Sequence, residues 1–180
     1  MTTLADLHVA YADALAAARA VLSRVGTGDL TRPTPCRGWD LRMLTEHMIG
    51  QNEGFAAAIA SGDAPAEAYA PRLVGNPDAV LRAWDESVER LLAAADACSF
   101  DRPVRLVEIA SDATFPAQAA VRIHLLDTLV HTWDVATALG ERHRPEQVLL
   151  DLVSAGAQQV PGGMHAPAPA QSLRPPSTRR

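Results

Sequence analysis

The chain has 180 residues, enough for one domain with a sizeable core, and its 48% hydrophobic and 21% charged residues have the balance of a soluble globular protein. A net charge of −5 without a basic block argues against nucleic acid as a partner, and no apolar run approaches the ~20 residues of a membrane-spanning helix. All 16 cationic residues are arginine, which excludes a Schiff-base lysine and a Walker-type phosphate loop. The first fifteen residues have no basic segment ahead of an apolar stretch, so no secretory signal is expected. Two cysteines, Cys36 and Cys98, are too few for a disulfide framework and suit a reducing cytoplasm. With 34 alanines and 4% aromatic residues, helix is favoured over sheet.

Five helical segments follow one another, separated by proline and glycine. The first is predicted from Thr3, which with Asp6 has capping-box spacing. Leu4, Leu7, Tyr11, Ala14, Leu15, Ala18, Leu22 and Val25 mark its apolar face, and Gly26 and Gly28 end it. After the linker TRPTPCRGW, Asp40 is a good N-cap for a second helix through Leu41, Leu44, Met48 and Phe55 to about Ala60. Gly62, Pro65, Pro71 and Gly75 mark an irregular connection. Asn76-Pro77 then opens a third helix, with Val80, Leu81, Trp84, Val88, Leu91, Leu92 and Ala95 on one face. The strand-like segment VRLVEI, between Pro103 and Pro116, allows a loop or one short hairpin. A fourth helix over 117–139 ends at Gly140, and a fifth runs from about Pro145 to Val160. The last twenty residues contain five prolines and little to bury, which predicts a disordered tail. The expected architecture is all-α: a four-helix bundle over residues 1–160 with a short fifth helix, then a Pro/Ala-rich tail over 161–180.

The fourth helix carries His124, Asp127, His131 and Asp134 in one stripe, spaced three, four and three apart. Such a stripe is ordinarily a solvent face. Here its flanks are apolar (Val121, Ile123, Leu125, Leu126, Leu129, Val130, Trp133) and Arg122 points away from it, which equally fits a stripe turned inward. Imidazole and carboxylate together are ligands for zinc, nickel or iron. Asp127 and His131, four apart, can reach one ion. His124 lies about 10 Å from His131 along the axis, so it is an alternative ligand, an outer group, or simply a partly exposed histidine.

A third ligand must come from elsewhere. His47 on the second helix is the best candidate, against the plainer reading of a core histidine. Gly50 and Gly54 beside it allow either an open space or close packing. Cys36 has no evident histidine partner and reads as structural rather than nucleophilic. Trp39, Trp84 and Trp133 read as core residues, with Trp39 a candidate at the edge of a substrate pocket.

Two segments, TPCRGWDLRMLTEHMIG over 34–50 and HLLDTLVHTWDVATALG over 124–140, resemble the signatures of the mycothiol-dependent maleylpyruvate isomerase N-terminal family, in the DinB-like superfamily. The resemblance spans roughly residues 4–160 and is closest to single-domain metal-binding members. It implies a four-helix bundle with one divalent ion, zinc first and nickel or iron as alternatives, held by His47, Asp127 and His131. The isomerase has a glutamate where Asp127 stands, and a C-terminal domain where this chain has only its proline-rich tail. Asp134 and His124 would be outer groups that orient the imidazoles. The implied activity is isomerisation or S-transfer, with mycothiol or a similar thiol acting on an electrophilic small molecule. The other functional class is a non-catalytic metal-binding or small-molecule-binding stress-response protein. The expected state is a cytoplasmic monomer or homodimer with no nucleic-acid or membrane partner.

Overall fold

The computed structural model describes residues 4–110 and 112–157, with side chains from 6 to 153 within them. It is built from α1 (Leu4–Leu22), α2 (Leu41–Ser61), α3 (Pro77–Ala97), a two-stranded hairpin of β1 (Pro103–Arg105) and β2 (Thr114–Pro116), α4 (Ala117–Ala138) and α5 (Gln147–Ala157). The Thr3 cap and the predicted tail lie outside the described residues.

The helix starts follow local chemistry. Asp40 accepts from the Met43 N–H at 2.8 Å and Asn76 from the Ala79 N–H at 2.9 Å, each satisfying one of the orphan donors of a first turn. Gly140 closes α4 at φ +79°, a conformation that suits glycine, and its N–H bonds to the Thr137 carbonyl. Helix α1 stops at Leu22, one turn earlier than its apolar pattern, although Val25 remains buried beyond it.

Four helices form a ring in which α1 packs on α4 and α3, while α2 packs on α3 and α4; α5 closes against α4. Leu7, Tyr11, Leu15, Leu41, Leu44, Ile49, Trp84, Leu91 and Leu125 fill the interior. The hairpin pairs antiparallel, Val104 opposite Phe115. No helix among the described residues is long and apolar enough to cross a membrane.

The connection between α2 and α3 is more ordered than its prolines and glycines suggest. It contains a 3₁₀ turn, Ala66–Tyr69, laid against α2. A Cβ on Gly50 would run into the Tyr69 and Ala70 carbonyls, and one on Gly54 into the Tyr69 ring. These glycines therefore serve close packing. Glu46 fastens the same segment, its carboxylate accepting from the Val74 N–H at 3.0 Å and its carbonyl from the Arg72 N–H at 3.1 Å.

Helix α4 is inverted relative to an ordinary surface helix. His124, Asp127, His131 and Asp134 are all buried, whereas Val130 and Trp133 are 47% and 46% exposed. Trp133 is thus not a core residue, in contrast to Trp39 and Trp84. The polar stripe takes part of the buried surface of α4, alongside Val121, Ile123, Leu125, Leu129 and Val135, while Val130 and Trp133 lie on its outer side.

Candidate metal centre

The site forms where α2 meets α4, with the 34–40 linker alongside. His47 comes from the second turn of α2, and Asp127 and His131 from successive turns of α4. One ligand atom from each lies within 4.8 Å of the others, and all three residues are buried. The rings of His47 and His131 are edge-to-face with centroids 5.2 Å apart, and the Trp39 ring also packs on His47 at 4.9 Å.

His131 is gripped at both ring nitrogens. Nε2 lies 3.3 Å from Asp127 Oδ1, and Nδ1 lies 3.0 Å from Asp134 Oδ2. Cys36 Sγ is 3.3 Å from the same Asp134 oxygen and 4.0 Å from His131 Nδ1. Cys36, His131 and Asp134 thereby make a second cluster on the far edge of the imidazole. Cys36 does have a histidine neighbour, though 95 residues away in sequence. The linker and α4 meet only in the fold, and spacing cannot show that.

The electrostatics follow from burial and charge. Desolvation alone would lower the His131 pKa, but the Asp127 charge and hydrogen bonds to Asp127, Asp134 and Cys36 outweigh it and raise it. Asp127 moves the opposite way: burial resists its ionisation, yet the His131 charge and hydrogen bond lower its pKa. In the absence of another cation, the site draws a proton onto His131. His47 is lowered by burial, against the pull of Asp127.

His124 sits one turn before Asp127 and is 1% exposed, which rules out a partly exposed histidine. Its Nδ1 lies 2.7 Å from the Tyr11 hydroxyl, and Phe55 packs against its ring with centroids 4.7 Å apart. Its hydrogen-bond neighbours are Tyr11 and Thr128, not the imidazoles of His47 or His131. Burial pushes its pKa down to about 4.

One acidic group near the site has no sequence signal. Glu108, from the segment between β1 and β2, accepts from Gln51 Nε2 at 2.8 Å. Burial raises its pKa, the Gln51 hydrogen bond opposes this, and the Asp127 charge adds to the rise. Gln51 lies one helical turn beyond His47.

The comparisons with known proteins agree with this architecture. Residues 11–136 match the family described as the mycothiol maleylpyruvate isomerase N-terminal domain. Two uncharacterized proteins of Mycobacterium tuberculosis, from strains CDC 1551 and H37Rv, are each 30% identical over 139 residues, covering 76% of this chain and 69% of theirs. The crystal structure of a histidine-to-alanine mutant of the mycothiol-dependent maleylpyruvate isomerase aligns with a TM-score of 0.66. The alignment covers 85% of this chain and 68% of that one; at 19% identity the likeness is one of fold. On the family match and the relatives at 30% identity, the chain belongs to the mycothiol maleylpyruvate isomerase N-terminal domain family.

Proposed function

We propose that His47, Asp127 and His131 hold one divalent metal ion, and that the protein is a metal-dependent enzyme using a low-molecular-weight thiol on an electrophilic small molecule, by isomerisation or S-transfer. The observation that carries this reading is the convergence of three buried ligand atoms from two helices within 4.8 Å. The donor set fits such an ion: two imidazoles and a carboxylate suit zinc, nickel or iron, and the buried carboxylates already draw a positive charge to His131. Three protein ligands are the number used by catalytic zinc sites, which keep a position for an exogenous ligand. The ion would supply a Lewis acid that holds a thiol as thiolate near neutral pH.

The remaining roles belong to the chain. Asp127 contributes the negative charge of the ligand set. Asp134 accepts the Nδ1–H of His131, which fixes the tautomer and leaves Nε2 on the Asp127 side. Trp39 walls off the flank of His47 and is the residue we assign to the edge of the substrate pocket. His124, held by Tyr11 and Phe55, shapes the layer behind Asp127. The thiol class is taken from the family, whose structural relative is a mycothiol-dependent isomerase. Cys36 and Cys98 are both free thiols, in keeping with a reducing cytoplasm.

The test is elemental analysis of the purified protein, followed by a screen of thiols with electrophilic acceptors before and after metal removal. One ion per chain, with turnover that chelation abolishes and metal restores, is the expected result. Protein that takes up no divalent metal would overturn the reading.

A further inference from the structure

We propose that Glu108 is a charge filter beside the metal site, so that the site selects thiols whose groups near the sulfur are neutral or cationic over thiols bearing a carboxylate there. This inference rests on the proposed metal and thiol reading. Glu108 is firmly placed. The segment carrying it turns on Leu106, whose carbonyl accepts from the Ile109 and Ala110 N–H groups at 3.0 and 2.9 Å and whose side chain is buried. The carboxylate is fixed by the 2.8 Å hydrogen bond from Gln51, itself 6% exposed. Gln51 follows His47 by four residues, so it shares that face of α2 about 6 Å further along the axis. Glu108 is therefore held by a side chain that starts one helical turn from a proposed ligand, and the charge of Asp127 acts on it.

The charge balance gives the selectivity its sign. A divalent ion on His47, Asp127 and His131 leaves one net positive charge. Asp134, 3.0 Å from His131, cancels it, and Glu108 then adds a negative charge beside a neutral centre. Its hydrogen bond comes from a neutral amide. Arg105 pairs with Asp63, Arg72 with Glu53 and Glu86, and Arg90 with Glu53. An incoming carboxylate would meet repulsion from a partly desolvated anion, where charges are screened less than in water.

The experiment uses the full chain loaded with cobalt(II), titrated with cysteamine, 2-mercaptoethanol and 3-mercaptopropionate, reading the thiolate-to-cobalt absorbance. These probes have similar reach and differ mainly in charge. In Glu108→Gln, whose amide can still pair with Gln51, the ratio of the 3-mercaptopropionate to the cysteamine dissociation constant should fall by roughly three- to tenfold. Differences in intrinsic thiol acidity cancel when this ratio is compared between proteins. Glu108→Asp, which restores the charge, should keep most of the wild-type ratio. Cobalt and thiols that bind with an unchanged ratio in Glu108→Gln would overturn the filter alone. No cobalt uptake, or no thiolate absorbance with any probe, would overturn the metal and thiol reading and the filter with it.

Discussion

Asp134 and His131 face each other one turn apart on α4, with Oδ2 of the carboxylate 3.0 Å from Nδ1 of the imidazole. Asp127 stands at the opposite nitrogen, so one ring is oriented from both edges by its own helix. Asp134 also takes a contact from Cys36, which ties the linker before α2 to the same carboxylate. Orientation of a ligating histidine by such an outer carboxylate is a recurrent source of metal affinity.

Asp134→Ala should therefore weaken metal binding by about 10–100-fold without abolishing it. Asp134→Asn retains a carbonyl acceptor for Nδ1–H and should lose less. Competition against a chelator of known affinity measures both, and wild-type affinity in the alanine variant would show that Asp134 does not act through His131.

How much of this was legible in the sequence differs between the two helices. On α4 the spacing of Asp127, His131 and Asp134 already placed them on one side, and the apolar flanks made an inward stripe a real alternative. On α2 no periodicity could single out His47, because every residue from Leu44 to Asn52 is buried. Its place inside α2 makes His47 the best candidate for a third ligand, against the plainer reading of a core histidine, and the resemblance to a known family names the same residue. The Cys36–Asp134 and Gln51–Glu108 contacts join residues 98 and 57 positions apart and depend on tertiary packing. Trp133 was misread for a related reason. Tryptophan ordinarily prefers the interior, but the polar stripe takes part of the buried surface of α4 and Trp133 lies on the outer side.

His124 gives a pH dependence with a definite sign. Burial holds its pKa at about 4 in the fold, against about 6.5 for an exposed histidine. Between these values the unfolded chain binds the extra proton, so stability falls as pH drops from about 6.5 towards 4 and levels off below. His47 acts in the same direction. The contribution of His131, whose pKa is raised, is already complete below pH 6.5, and Glu108 opposes the slope only at its acid end. The His124 contribution is roughly 2–4 kcal/mol. In metal-free protein, urea midpoints between pH 7 and 4.5 should fall more gently for His124→Gln than for wild type. An equal slope in the two proteins would contradict this account.

Gly54→Ala tests the seating of the 3₁₀ turn. The new Cβ would overlap the ring of Tyr69, which packs edge-to-face on Phe55 with centroids 5.7 Å apart. Overpacking of this kind costs about 1–3 kcal/mol. Alanine recovers up to about 1 kcal/mol through helix propensity, so a net loss is expected. A melting temperature at or above wild type would mean that Tyr69 moves aside freely.

Residues 161–180, which lie outside the described part, are proposed to add nothing to the stability of the bundle. Their five prolines and lack of apolar periodicity give them little surface to bury. Truncation after Val160 should leave the melting temperature within a degree or two of the full chain; a drop of several degrees would mean that this segment packs.

The ligand set itself is tested by comparing bound metal with stability. If His47, Asp127 and His131 share one ion, removing either histidine leaves two protein ligands, too few for a well-held site. His47→Ala and His131→Ala should each be isolated without metal and lack thiol-dependent turnover. Asp127→Asn keeps the size of the side chain but removes its charge, so it should weaken binding less than either deletion. Were His47 only a core histidine, its alanine variant would lose at most a few kcal/mol to a cavity and keep its metal. The burial of His47 against Trp39 and His131 makes some loss of stability expected in either case. Metal content per chain is therefore the deciding readout, taken on folded protein below its melting temperature. A His47→Ala protein that remains fully metallated would remove His47 from the site, and with it the link between α2 and the proposed chemistry.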